Sequence, residues 1–248
     1  MFIYVIYKVN VMKIELKKRP KNPIIIEGFP GFGLVSTIAT EFLLDHLQME
    51  KIGNITSEEI PPMIAVHDGK VIDPIGIFYS KKYNLVLVHA VSAPIGGEWK
   101  LANRILELAK MLGAKEIISL EGIGSTKPSE KPRAFYFSSN SVKAKKLAKV
   151  SEQLKEGIIT GLTGVLMLKS EKVPISCIFA EAHSELPDSK AAAKVIEILN
   201  DYMGLKLDPK PLLEQAVKFE NKLKQLLTQT KEITKMTEEQ KKKLTYVG

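Results

Sequence analysis

Residues 24–42 read IIIEGFPGFGLVSTIATEF, and the turn between the isoleucines and the amphipathic run decides the architecture. Ile24–Glu27 is short and β-branched, the pattern of a buried strand. From Leu34 to Leu47 the apolar positions 34, 35, 38, 39, 42, 43 and 47 repeat at helical spacing and form one wide face. Gly28, Pro30, Gly31 and Gly33, with Phe29 and Phe32 between them, make a stiff apolar tight turn joining strand to helix. A dinucleotide fingerprint needs G-x-G-x-x-G/A; Gly31 and Gly33 supply its first two glycines, and Ser36 stands at the third. A G-K-[ST] phosphate loop is absent as well. The turn therefore reads first as structure or interface. Anion binding by N–H groups at the helix start is the secondary reading.

Strand and helix signals alternate onward from this unit. Gly53 closes the first helical segment, and Met63–His67 and Val71–Tyr79 flank the turn HDGK, whose Asp-Gly pair favours a hairpin. Leu85–Val91 (LVLVHAV) is apolar on both faces, as a central strand covered by helices must be. Trp99–Leu112 is amphipathic and ends at Gly113, a left-handed cap. Glu116–Leu120 reads as a buried strand running into the loop EGIGSTKPSEKPR, and Val142–Leu154 as a helix. Ile158–Leu168 opens with a glycine turn before a helix or strand, Ile175–Ala180 is a strand, and Ser189–Met203 is a helix stopped by Gly204. This alternation predicts a mainly parallel sheet with helices on both faces.

The C-terminal segment differs in kind. After DPKP, Leu212, Ala216, Phe219, Leu223, Leu226, Thr230 and Ile233 follow alternating steps of four and three, a heptad seam. It packs either on its own domain or against another subunit. Beyond it, TEEQKKKLTYVG is too polar to pack until its last residues and reads as a mobile tail with a sticky tip.

The 248 residues carry a net charge of +8, but arginine occurs only at Arg19, Arg104 and Arg133. The lysines are dispersed and often sit beside glutamate, which describes a solvated, ion-paired surface better than a nucleic-acid face. Nine lysines against five glutamates in residues 209–248 account for +4 of the excess. This Lys/Glu-rich balance also suits a thermophile. Cys177, the only cysteine, lies in the apolar run PISCIFA; it excludes a disulfide framework and reads as a buried, inert thiol. A reducing cytoplasm fits that usage. No stretch of 18 apolar residues is present, and the opening MFIYVIYKVNVMKIEL lacks a basic n-region and a cleavage site. Met12 is an alternative start, which would make residues 1–11 an upstream extension.

Catalytic signals are thin. His46, His67, His89 and His183 show no metal-ligand spacing, and no G-x-S-x-G elbow occurs. His46 reads as solvated or interfacial and His89 as a hydrogen-bonded core histidine. Glu121, Glu181 and His183 follow strands, at the edge where α/β folds bind ligands, and Glu98 and Lys100 flank Trp99. An acid/base enzyme of hydrolase or phosphorylase type requires Glu121, Glu181 and His183 to converge around the 28–33 turn.

Taken in order, residues 24–55, 93–125 (APIGGEWKLANRILELAKMLGAKEIISLEGIGS) and 179–204 (FAEAHSELPDSKAAAKVIEILNDYMG) resemble the proteasome assembly chaperone family, including its archaeal members. The strand entering G-x-P-G-x-G is the most specific part; Ser36 departs from the glycine frequent there. The resemblance implies a phosphorylase/hydrolase-like three-layer α/β fold over residues 12–205; the heptad spacing adds a helix over 209–236 and the polar end a flexible tail over 237–248. The resemblance also implies a cytoplasmic, ATP-independent assembly chaperone or activator, not an enzyme, without cofactor or metal. Its partners would be core proteasome α-subunits and further copies of itself, with no nucleic acid or membrane involved. Leu212, Phe219, Leu223, Leu226 and Ile233 would form the helix or oligomer seam. Activators of this class often end in a hydrophobic residue, tyrosine and a final residue whose carboxylate pairs with a lysine. Here Tyr246, Val247 and Gly248 would dock the α-ring, with Tyr246 as anchor and Val247 in the tyrosine position.

Overall fold

A computed structural model describes residues 12–67, 70–124, 132–171, 173–182, 186–208, 210, 211, 213 and 214. The opening strand–turn–helix unit is present: β2 (Ile24–Gly28) leads through a short 3-10 turn, Phe32–Leu34, into α1 (Val35–His46). Before it lies β1 (Lys13–Leu16), and after it β3 (Glu50–Thr56). A small hairpin, β4 (Ala65–His67) and β5 (Lys70–Ile72), precedes β6 (Ile75–Ser80) and β7 (Leu85–Ala90). Next come α2 (Glu98–Leu112), β8 (Glu116–Gly124), β9 (Ala134–Ser138) and α3 (Ser141–Leu147). The series ends with β10 (Glu152–Gln153), α4 (Gly161–Leu168), β11 (Ile175–Ala182) and α5 (Ser189–Met203).

The main sheet has the order β1-β3-β6-β7-β2-β8-β11-β9-β10. Its centre, β7-β2-β8-β11, is parallel, as the helical crossovers require. On the flanks β1–β3, β3–β6, β6–β7 and β11–β9 pair antiparallel, while the two-residue edge strand β10 runs parallel to β9. The sheet is therefore mixed, which corrects the mainly parallel expectation. The physical reason is connection length. Residues 81–84 join β6 to β7, too few for a crossover, and Asn84 takes a positive φ of 47° to close that turn.

Strand alternation divides the apolar side chains between two cores. One face buries Ile25, Val88, Ile117 and Phe179 under Leu101, Ile105 and Leu108 of α2 and Leu162, Val165 and Leu166 of α4. The other buries Ile26, Leu87, Ile118 and Ile178 under Ile38, Phe42 and Leu43 of α1, Leu147 of α3, and Val195, Ile196 and Leu199 of α5. Gly113 and Gly204 end α2 and α5 in left-handed conformation, as the sequence indicates.

Three local expectations change. Gly53 does not close a helical segment but lies inside β3, where a side chain would meet the Glu15 carbonyl oxygen of β1 at 2.1 Å. Strand pairing needs that glycine. The helix expected over 142–154 stops at Leu147, and the chain extends again as β10 beside β9, a strand without a clear periodic signal. Residues 121–124 continue β8 instead of forming a loop, paired in register with Phe179–Ala182.

At the N-terminal end of β8, Glu116 is fully buried and ties α3 and α5 of the second face to the sheet. Lys143 of α3 lies 2.7 Å from its carboxylate, and Ser176 and the Tyr202 hydroxyl of α5 donate to it at 2.6 and 2.9 Å. Removing the cation strands a buried charge, which costs about 3 kcal/mol or more. Lys143→Met is expected to lower the urea-unfolding free energy by that amount. The double variant Lys143→Met/Glu116→Gln should recover most of the loss.

Candidate functional site

The 29–34 turn lies across the C-terminal ends of β8 and β11, because several of its contacts leave no room for side chains. A Cβ on Gly122 would meet the Phe32 carbonyl oxygen at 2.1 Å, and one on Gly31 would meet a Glu121 carboxylate oxygen at 2.2 Å. Gly33 has a φ of 65°, and its carbonyl accepts from the Asp188 N–H at 2.8 Å. Ser36 turns inward: it is fully buried and its hydroxyl donates to the Phe29 carbonyl at 2.5 Å. The departure from glycine at this position is thus a lock that closes the turn. Gly28 serves close packing too, since a Cβ there would meet Thr40 at 2.5 Å.

Under this turn opens a cavity of about 590 Å³. Its floor is a polar cluster made by strand register. Glu27 of β2 pairs with Ser119 of β8, which pairs with Cys177 of β11, so the three lie side by side on one face. Glu121, two residues along β8, shares that face and lines the cavity with Glu27. The Ser119 and Thr163 hydroxyls are 2.7 Å apart, and Thr163 of α4 donates to Glu121 at 3.1 Å. Phe29, Phe32, Leu162 and Phe179 supply apolar wall, and Leu154 with residues 156–160 forms one side.

Glu27 is 1 % exposed, and its Oε1 has no hydrogen-bond partner. Burial pushes its carboxyl up to about 8; the Ser119 hydroxyl offsets part of this, and the Glu121 charge adds to it. Burial likewise pushes Glu121 up to about 7, opposed by the bonds from Thr163 and the Gly122 backbone. Cys177 is raised by burial and then by both carboxylates, which agrees with an inert thiol. Two neighbouring carboxyls with raised affinity for protons can hold and exchange a proton near neutrality.

The residues read from the sequence separate in space. Glu121 lines the cavity. Glu181, paired in register with Ile123, does not, and His183 lies outside the described residues. Glu98 accepts from the Gly96 N–H at 3.3 Å, Lys100 pairs with Glu59, and Trp99 is exposed. His89 is a core histidine, fully buried, with Thr40 Oγ1 2.8 Å from Nδ1 and Glu41 3.0 Å from Nε2. His46 stacks on Phe42 at 3.9 Å. The residue that sequence reasoning missed is Glu27. Its signal was a charged residue inside IIIEG, immediately before the turn. The seam residues Leu212, Phe219, Leu223, Leu226 and Ile233, and the tail residues Tyr246, Val247 and Gly248, lie outside the described residues. Among the described residues no group of three potential metal ligands occurs, and no helix is long and apolar enough to cross a membrane.

A mixed α/β sheet carrying a glycine-locked turn over its central strand ends defines the class. The chain belongs to the PAC2 family, which it matches over residues 25–227. It is similar to Pyrococcus furiosus PbaA, an archaeal homolog of proteasome-assembly chaperone: 30% identity, TM-score 0.80, covering 87% of this chain and 96% of that one. Pyrococcus furiosus PbaB, an archaeal proteasome activator, shares the fold at TM-score 0.73 and 24% identity, over 88% of this chain and 99% of that one. An uncharacterized protein of Methanocaldococcus jannaschii is 29% identical over 225 residues, covering 89% of this chain and 90% of the relative.

The buried carboxyls make stability depend on pH with a definite sign. A carboxyl whose folded pKa is raised binds more protons folded than unfolded, so its contribution is complete below about pH 4.5 and is lost as pH rises through 7 to 8. The unfolding free energy should fall by a few kcal/mol between about pH 5 and pH 9. Glu27→Gln should flatten much of that slope in urea titrations.

Proposed function

We propose that this protein is a proteasome-associated assembly chaperone or activator that works without ATP and without catalysis. The observation that carries the reading is membership of the PAC2 family over residues 25–227, together with the match to PbaA at 30% identity across 87% of the chain. The likeness in fold to an archaeal proteasome activator favours the same process. In this reading the phosphorylase/hydrolase-like scaffold of residues 12–205 is a protein-binding body in the cytoplasm. The heptad-patterned helix over 209–236 joins copies into a homo-oligomer. The tail over 237–248 presents Tyr246, Val247 and the Gly248 carboxylate to grooves between α-subunits of the core proteasome. Several tails on one oligomer add avidity without new contacts. The partner is a protein, with nucleic acid and membrane playing no part.

The locked turn supports this reading over a nucleotide site. Ser36 occupies the third fingerprint position and spends its hydroxyl on the Phe29 carbonyl, and Gly31 abuts a carboxylate, which repels phosphate.

Surface plasmon resonance against the core proteasome tests the proposal, comparing the full chain with one ending at Leu244. Binding by the full chain and a loss of roughly a hundredfold or more on truncation is the expected result, since an avid multivalent contact is removed. Equal binding by both would move the contact to the folded domain. Binding by neither would overturn the proteasome partner.

A further inference from the structure

We propose that the cavity beneath the 29–34 turn is a binding site for a small organic cation, an ammonium group on a short apolar tail held between Glu27 and Glu121. The site does not depend on the proteasome reading. Its anchor is Glu27, 1 % exposed, which lines the cavity and keeps Oε1 without a hydrogen-bond partner. A buried acceptor left unmatched in a polar, roomy site calls for a donor. Glu121 faces the same space and, among the described residues, takes a single side-chain bond, from Thr163.

Charge selects the kind of donor. Among the described residues the lining includes Glu27, Glu121 and Glu156 and no lysine, arginine or histidine, although the chain as a whole carries +8. The groups packed around the pair reinforce this. Cys177 of β11 lies beneath it, α4 contributes the Thr163 hydroxyl, and Val88 of β7 pairs with Glu27. The N-terminus of α4 would favour an anion, but Thr163 in its first turn already serves the Glu121 carboxylate. The walls select the tail. Phe29, Phe32, Leu162 and Phe179 suit an aromatic or aliphatic group, and an aromatic face adds attraction for an ammonium. The volume, about 590 Å³, is that of a small-molecule pocket.

The cation binds the ionised pair, so affinity rises with pH as Glu121 and then Glu27 lose their protons, through about 7 and about 8. A primary ammonium stays charged across that range.

Isothermal titration calorimetry of the full chain tests the assignment with 2-phenylethylamine, uncharged 2-phenylethanol and anionic 3-phenylpropionate. The amine should bind at least roughly a hundredfold tighter at about pH 8.5 than at about pH 6, releasing protons, while the alcohol and the acid do not bind. Glu27→Gln should weaken the amine at least tenfold, and Glu156→Gln, at the exposed rim, by less than about threefold. Equal binding of alcohol and amine, preference for the acid, affinity independent of pH, or no amine binding would each overturn the proposal. The ligand comparison on the native chain decides the matter if Glu27→Gln does not fold.

Discussion

The structure depends on one close approach, the 29–34 turn lying directly on the ends of β8 and β11. That approach is possible because Gly31, Gly33 and Gly122 carry no side chain where the neighbouring atoms sit. Backbone contact at this spacing sets the start of α1, and through α1 the packing of α5 against the same sheet face. The Ser36 hydroxyl fixes the turn from inside by satisfying the Phe29 carbonyl. The start of α1 and the roof of the cavity follow from a turn whose contacts leave it no room to shift.

The cavity illustrates how a fold tolerates polar groups in its centre. Glu27 and Glu121 are held on a face otherwise devoted to apolar packing, and burial raises both toward neutrality in pKa. A group that costs stability on the alkaline side persists where the surroundings over-determine its position. The Ser119–Thr163–Glu121 chain of hydroxyls provides that determination by linking the sheet to α4. At the opposite end Glu116 is handled differently, with a lysine, a serine and a tyrosine meeting one carboxylate. One carboxylate is paired because it joins elements together; the other two face an opening.

Much of this was legible from the residues in order. The helices over 35–46, 98–112 and 189–203 were visible because apolar stripes mark all three, and glycine stops at Gly113 and Gly204 mark the last two. Strands such as Leu85–Ala90 were visible because burial on both faces makes a continuous apolar run. The marginal strands β3 and β9 were not: Glu50–Thr56 mixes polar and apolar residues without strict alternation, and Ala134–Ser138 is a short aromatic run with no alternation of its own. Their strand character comes from neighbours that supply hydrogen-bond partners. Within the candidate site, Glu121 was recognised by its place after a strand. Glu27 looked like an ordinary strand end, because nothing local says that Ser119 and Cys177 will flank it.

The amino-acid sequence by itself determined the family, the strand–turn–helix unit at residues 24–46, the core helices and the inertness of Cys177. These rest on local periodicity, on glycine stereochemistry and on an unbroken apolar setting, all of which act over a few residues. Tertiary structure alone decided that the sheet is mixed and that Ser36 locks the turn. It alone placed Glu27 and Glu121 in one cavity while leaving Glu181 outside it. Those outcomes depend on which strands become neighbours and in what register. Register is a long-range property: a shift of one residue would send every side chain of a strand to the opposite face.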